Sequence, residues 1–304
     1  MLKPTTDDTS PGKSLAELRE EIDRIDTSLH RLLIERGEII DRLIQVKAQQ
    51  GGGSAFRPSR EADMMRRLVE RHHGLLPVDT VETIWRIIIS TFTFVQANYA
   101  VHVDCSCGDA IMRDCCRFHF GFTVPLHTHD SAAQVIDAIQ SCKGDLGLLP
   151  IKAEPPMGAW WMQLAGADTP KVIARLPFIE RPDHPAGLPL FVIATPLAEA
   201  TARDVIIFGA ILERLPDELE ARLTDHHIDV LDMQAEAGSV AMMLAAPGAS
   251  FANVGALAKV LGEFDQHAHI VELGSHAARF DLAHGSNAKA TQHDVKMLLQ
   301  NHAS

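Results

Sequence analysis

From Ser14 to about Gln50 the chain carries one uninterrupted helical pattern, and the length of that pattern governs how the rest is read. Ser14 and Glu17 form an S-x-x-E capping box at its start. Leu15, Leu18, Ile22, Ile25, Leu29, Leu32, Leu33, Ile39, Ile40, Leu43 and Val46 then recur at three- and four-residue steps. Gly51-Gly52-Gly53 marks the stop. At ~1.5 Å per residue the helix is on the order of 50 Å long, whereas a compact domain of roughly 100 residues has a radius of gyration of ~13 Å. A helix of that length needs a partner along it, and a second copy of the chain is the simplest supplier. An intertwined homodimer is the expectation.

A second helix is expected from about Arg60 to His73. A third opens at Pro77 and Asp79 and runs to about Tyr99, with Val81, Ile84, Trp85, Ile88, Phe92 and Val95 on its apolar side. The pattern changes at Val101. VHVD, DAIMRDCCRFHF, TVPLH, SAAQVIDAIQSC and LGLLPI alternate strand and helix signals and predict an α/β region with a parallel sheet. After a proline-punctuated stretch, VIIFGAIL, PDELEARLTDHH, IDVLDMQAE, SVAMMLAA, FANVGALAKVLGEF and AHIVELG follow in the order βαββαβ, the ferredoxin-like arrangement. The expected fold class is multidomain α plus α/β. Its parts are a lead (1–13), a three-helix domain (14–100), an α/β domain (101–198), a βαββαβ domain (199–282) and a polar tail (283–304).

Charge excludes some partners. Residues 1–100 carry 14 Lys/Arg against 15 Asp/Glu, and residues 101–304 carry 14 against 25. That acidic C-terminal region argues against nucleic acid or an anionic membrane. No apolar run approaches the ~20 residues of a membrane span, and the N-terminus has no signal-peptide core. Five cysteines, an odd number, suit reduced thiols and a cytoplasmic location.

Arg36 and Lys47 are eleven residues apart, about three turns, and so share a helix face. Arg19 lies well round the cylinder and suits a different cavity, that of the dimer partner. On spacing alone, solvated surface charge is the commoner account of such residues. The segments SLAELREEIDRIDTSLHRLLIERGEIIDRLIQVK, FRPSREADMMRRLVERH and VETIWRIIISTFTFVQ alter that weighting. Together, over residues 14 to 99, they resemble the helical chorismate mutases that are fused to prephenate dehydratases.

The resemblance implies a role for each matching residue. Arg19 crosses the dimer to hold one substrate carboxylate and Arg36 holds the other. Lys47 sits beside the breaking ether oxygen, and Gln96 donates to the same oxygen. Arg60 binds substrate, and Glu61 accepts the ring hydroxyl. Two positions depart from the pattern: Arg57 stands where an Asp is usual and Phe92 where a Ser is usual. Arg57 is equally an added substrate contact or a surface charge. Such a site rearranges chorismate to prephenate without a cofactor or metal: guanidiniums select the compact conformer, and Lys47 and Gln96 stabilise charge that develops on the ether oxygen. Gln96, an amide, donates at any pH, so activity should vary little from acid to mildly alkaline pH.

The remainder resembles a shortened prephenate dehydratase domain followed by an ACT-like domain. CKGDLGLLPIKAE and LPLFVIAT carry the first likeness, but Lys152-Ala153 replaces the family's Glu-Asn and Pro189-Leu190 its Thr-Arg. Dehydratase activity is therefore not expected. In the ACT-like part Arg214-Leu215-Pro216 and Asp232-Met233-Gln234-Ala235 replace the ligand segments, which leaves an amino-acid effector as a candidate partner only. Two other readings stand beside the mutase: a bifunctional mutase/dehydratase, and a non-catalytic sensor that dimerises through its helices. His102, Cys105, Cys107, His127 and His129 lack common zinc spacing, and buried thiols with surface imidazoles are expected there.

Overall fold

The computed structural model describes residues 13–49, 56–152, 158–195, 202–213, 215, 218–236, 238–261 and 268–287. The triple glycine, the lead before Lys13, Ala153, Arg214, Pro216 and the tail beyond Asn287 lie outside the described residues. The chain divides into two compact units, residues 1–53 and 54–304.

The first unit is one helix, α1 (Leu15–Gln49). Its capping box forms as the sequence requires: Glu17 Oε2 accepts the Ser14 N–H at 2.7 Å, and Ser14 Oγ accepts the Glu17 N–H at 3.3 Å. The apolar stripe is largely exposed, from Leu15 at 65% through Ile22 at 57% and Leu29 at 54% to Ile39 at 56%.

The second unit begins with α2 (Pro58–Arg71) and α3 (Val78–Gln96). Pro58 occupies the first turn of α2, where its missing N–H costs nothing. The buried face of α3 differs from the expected one. Val81, Glu82, Arg86, Ile89, Ser90 and Thr93 face inward, while Ile84 and Val95 are exposed. The cause is a set of ion pairs, described below, that draws the polar side of α3 into the unit. The helix also stops at Gln96 rather than Tyr99, because Ala97 turns extended at φ −157°.

The sheet-forming elements follow in order: β1 (Val101–Asp104), α4 (Asp109–Phe120), β2 (Leu126–His129), α5 (Ala132–Ser141), β3 (Leu146–Pro150), a 3-10 turn (Trp160–Leu164), β4 (Lys171–Leu176), β5 (Ile179–Glu180) and β6 (Leu190–Ala194). Then come β7 (Val205–Leu212), α6 (Leu219–Asp225), β8 (Asp229–Glu236), β9 (Ser239–Pro247), α7 (Val254–Leu261), β10 (His269–His276), β11 (Phe280–Asp281) and β12 (Ser286–Asn287). Nine strands make one mixed sheet in the order β2-β1-β3-β6-β4-β10-β7-β9-β8. β2, β1 and β3 run parallel, as the alternating strand and helix signals predicted. β7 to β10 form an antiparallel βαββαβ set whose spatial order is fourth, first, third, second. β5, β11 and β12 form a small separate sheet, so the start of the polar tail is paired.

The two halves of the large sheet join where Gly274 of β10 pairs in parallel with Val172 of β4. Gly274 has φ +139°, and a Cβ there would lie 2.2 Å from the Val172 carbonyl oxygen. Only glycine fits this join. Alternation along β7 divides the core: Ile206, Phe208 and Ala210 pack with Leu219, Leu223 and Leu257 of α6 and α7. Ile207 points the other way and packs with Trp161, Leu164 and residues of α5. A third cluster joins α2, α3 and α4 to β1, β3, β4 and β6.

Candidate functional site

The residues singled out from sequence fall on both units. On α1, Arg36 and Lys47 are each half-buried, unlike most of the helix, and Arg19 is exposed. Seventeen residues of helix, about 25 Å of rise, separate Arg19 from Arg36. Two carboxylates of one small molecule cannot be held by both residues of a single α1.

In the second unit Arg57 is the N-cap residue of α2, and both it and Arg60 are exposed. Glu61, in the first turn, is buried at 4% exposure. Its Oε2 accepts Arg86 Nη1 at 2.6 Å, and Arg86 is itself fully buried. Arg86 also donates from Nε and Nη2 to the His119 carbonyl at 3.1 and 2.9 Å, which ties α3 to the end of α4. Burial pushes the Glu61 carboxyl above its ordinary range, and the Arg86 charge opposes that shift.

One turn before Arg86, Glu82 accepts Arg181 Nη1 at 2.7 Å and pairs with His184 Nε2 at 3.3 Å. Arg181 reaches Asp79 as well. The rings of His119 and His184 stack with centroids 6.1 Å apart, and burial, followed by the Arg86 and His184 charges, holds His119 well below the usual imidazole range. Gln96, in the last turn of α3, donates its amide N–H to the Phe92 carbonyl at 2.9 Å. Arg86 and Gln96 are ten residues apart, about 15 Å of helix rise.

Sequence reasoning missed Arg86, Glu82 and the loop residues that meet them. A signal was present, since Glu82 and Arg86 stand four apart within an otherwise apolar helix. Cys105 and Cys107, expected as buried thiols, are half-buried, and the fully buried thiols are Cys115 and Cys116. Burial pushes Cys105 and Cys115 up to about 11 and Cys116 to about 12, so they stay protonated. His102 departs from the expectation of a surface imidazole, being buried at 8% exposure, because it sits on the central β1 between β2 and β3.

α1 carries the spaced cations Arg19, Arg36 and Lys47, and in the second unit α2 and α3 carry the buried Glu61 carboxylate and the Gln96 amide. Residues 18–97 match the family model of chorismate mutase type II. A bifunctional chorismate mutase/prephenate dehydratase of Neisseria gonorrhoeae is 35% identical over 78 residues, 26% of this chain and 21% of that protein. Its counterpart in Aquifex aeolicus is 26% identical over 144 residues, 46% of this chain and 39% of that one. The matched span is thus well under half the length of either curated relative. A solved prephenate dehydratase from Streptococcus mutans aligns with TM-score 0.38 and 15% identity over 60% of this chain and 99% of that one. One from Arthrobacter aurescens, in complex with L-Phe, gives 0.40 and 11% over 67% and 97%. Scores of this size do not establish a common fold. Among the described residues no helix is long and apolar enough to cross a membrane.

Proposed function

We propose that the protein is a chorismate mutase that converts chorismate to prephenate in aromatic amino-acid biosynthesis. The observation that carries this is the family match over residues 18–97, within which Arg19, Arg36, Lys47, Arg60, Glu61 and Gln96 occur in order. Arg19 and Arg36 grip the two substrate carboxylates, and Lys47 and Gln96 stabilise the ether oxygen as the C–O bond breaks. Glu61 takes the ring hydroxyl. Its Oε2 is engaged by Arg86, so Oε1 is the oxygen for that contact. Gln96 must turn from the Phe92 carbonyl to meet substrate. Arg57 extends the cationic rim.

The active form is a homodimer. The separation of Arg19 from Arg36 along one α1 supports a reading in which Arg19 serves the site of the other copy. The exposed leucines and isoleucines of α1, with Val46, supply the surface: eleven such residues, each roughly half exposed, represent on the order of 10 kcal/mol of unspent burial. The mutase domain spans residues 14–100, and the later domains follow the boundaries expected from sequence. The cytoplasm is the proposed compartment, in keeping with free thiols. An amino-acid effector would bind the βαββαβ half.

Chorismate consumption followed by ultraviolet absorbance, with and without acid treatment of the product, tests the proposal. Turnover to prephenate that is lost in Lys47→Ala supports it. Phenylpyruvate formed without acid would instead favour a bifunctional enzyme, as the curated relatives are described. No turnover in a folded dimer would leave the non-catalytic sensor. Added phenylalanine tests the effector in the same assay.

A further inference from the structure

At the parallel edge of the sheet lies a cluster that the proposed mutase site does not use. β1 and β2 pair so that His102 stands opposite His127, and Asp104 opposite His129. The His102 ring lies 5.0 Å from His127 and 5.1 Å from His129, centroid to centroid. His102 Nδ1 meets His129 Nε2 at 2.9 Å. Its other nitrogen, Nε2, is 3.2 Å from Asp145 Oδ2.

Two further residues converge there from the α5–β3 connection. Cys142 is the C-cap residue of α5, and Asp145 immediately precedes β3. A ring nitrogen of His102, the Cys142 sulfur and an Asp145 carboxylate oxygen all lie within 4.8 Å of one another. Cys142 and Asp145 are half-buried and His102 is buried, so the group opens toward solvent on one side.

We propose that His102, Cys142 and Asp145 form a three-ligand site for a zinc-class divalent cation, with its fourth position open to solvent. The donor set is the first argument. An imidazole, a thiolate and a carboxylate together suit a borderline ion such as zinc better than magnesium or calcium, which prefer oxygen alone. Spacing is the second. Tetrahedral zinc with ordinary bond lengths sets a nitrogen-to-oxygen edge of about 3.4 Å, close to the 3.2 Å found between His102 and Asp145.

Support from behind the ligands is the third argument. His129 fixes the His102 ring through Nδ1, and the Ala100 N–H donates to Asp145 Oδ1 at 2.8 Å. Each of these two ligands is thus oriented through the atom that does not face the ion, the pattern of metal-site outer shells. The same contacts argue against a Cys–His–Asp nucleophile. Such a relay needs thiol and carboxylate on opposite ring nitrogens, but His129 occupies Nδ1 and leaves Nε2 for both. Binding would clamp β1 to the α5–β3 connection and stabilise that edge of the sheet.

Cobalt(II) is the probe, added to the metal-free full-length chain, with zinc as competitor. One equivalent per chain should bind with a sulfur-to-cobalt charge-transfer band and tetrahedral d–d absorption, both displaced by zinc. Cys142→Ser should remove the charge-transfer band, and His102→Gln should weaken binding at least tenfold. His129→Gln should keep the band and weaken binding about 10- to 100-fold. Cys107→Ser should change nothing. Absence of the band in the unsubstituted protein, or its persistence in Cys142→Ser, overturns the proposal. Circular dichroism reports folding, and if His102→Gln does not fold then Cys142→Ser, half-exposed at a helix end, decides.

Discussion

Replacing Arg86 by Met keeps much of the volume and stem of the side chain while removing its charge. Three hydrogen bonds disappear, one to Glu61 and two to the His119 carbonyl, as does the guanidinium's position 5.1 Å over the Phe178 ring. The larger effect is what remains, a Glu61 carboxylate at 4% exposure with its cation gone. Breaking one side of a buried pair costs about 3–5 kcal/mol. All three tryptophans, Trp85, Trp160 and Trp161, lie in residues 54–304, so urea denaturation followed by their fluorescence reports this unit alone. Adding Glu61→Gln to Arg86→Met should restore about 2 kcal/mol of that loss, because the stranded charge is gone. The pH dependence has a definite sign. Burial already raises the Glu61 carboxyl above 4.5, and removing Arg86 raises it further. Stability from a raised acid is present below the unfolded value and is lost as pH rises, so Arg86→Met should be nearer wild type at pH 5 than at pH 8. A loss under about 1 kcal/mol at pH 8, or no rescue in the double variant, would refute the reasoning.

Gly274→Ala should cost more than about 3 kcal/mol, or yield insoluble protein, whereas Gly238→Ala, at φ +83° with open space around it, should cost about 1 kcal/mol; melting temperatures compare them. His276 is buried and depressed from 6.5 to about 3, so its contribution to stability is intact above pH 6.5 and is lost as pH falls toward 3, by about 5 kcal/mol at most. His276→Gln should flatten the acid limb of a plot of stability against pH by about one proton, and an unchanged limb would count against its burial as a neutral ring. Leu29→Asp, at the middle of the α1 stripe, should shift sedimentation from dimer to monomer and abolish turnover together. Wild-type kcat should vary less than about threefold from pH 5.5 to 8.5 if Gln96 and Lys47 carry the ether oxygen, and a steep fall near neutrality would point to a titrating group.

Elements with a strong local period were legible in the sequence: α1 with its capping box, α4 over Asp109–Phe120, the three parallel strands and the βαββαβ order. β4 and the Trp160–Leu164 turn were not, because prolines on either side mask the strand period and pairing with β6 and β10 decides its state. The orientation of α3 was misjudged for a similar reason. Its polar face is drawn inward by His119 and Arg181, which are 33 and 95 positions beyond Arg86 and invisible to helical periodicity. Cys142 and Asp145 were likewise overlooked, since β1–β3 pairing, not spacing along the chain, brings them to His102.

The join at Gly274 is a single registered pair, whereas every other neighbouring pair in the large sheet shares three or more positions. A sheet tears where it is least stitched. Amide protons of β1, β3 and β6 should therefore exchange as one block and those of β7, β9 and β10 as another, with different opening free energies. What binds at one end of such a sheet can stiffen its own block while leaving the other block free to breathe.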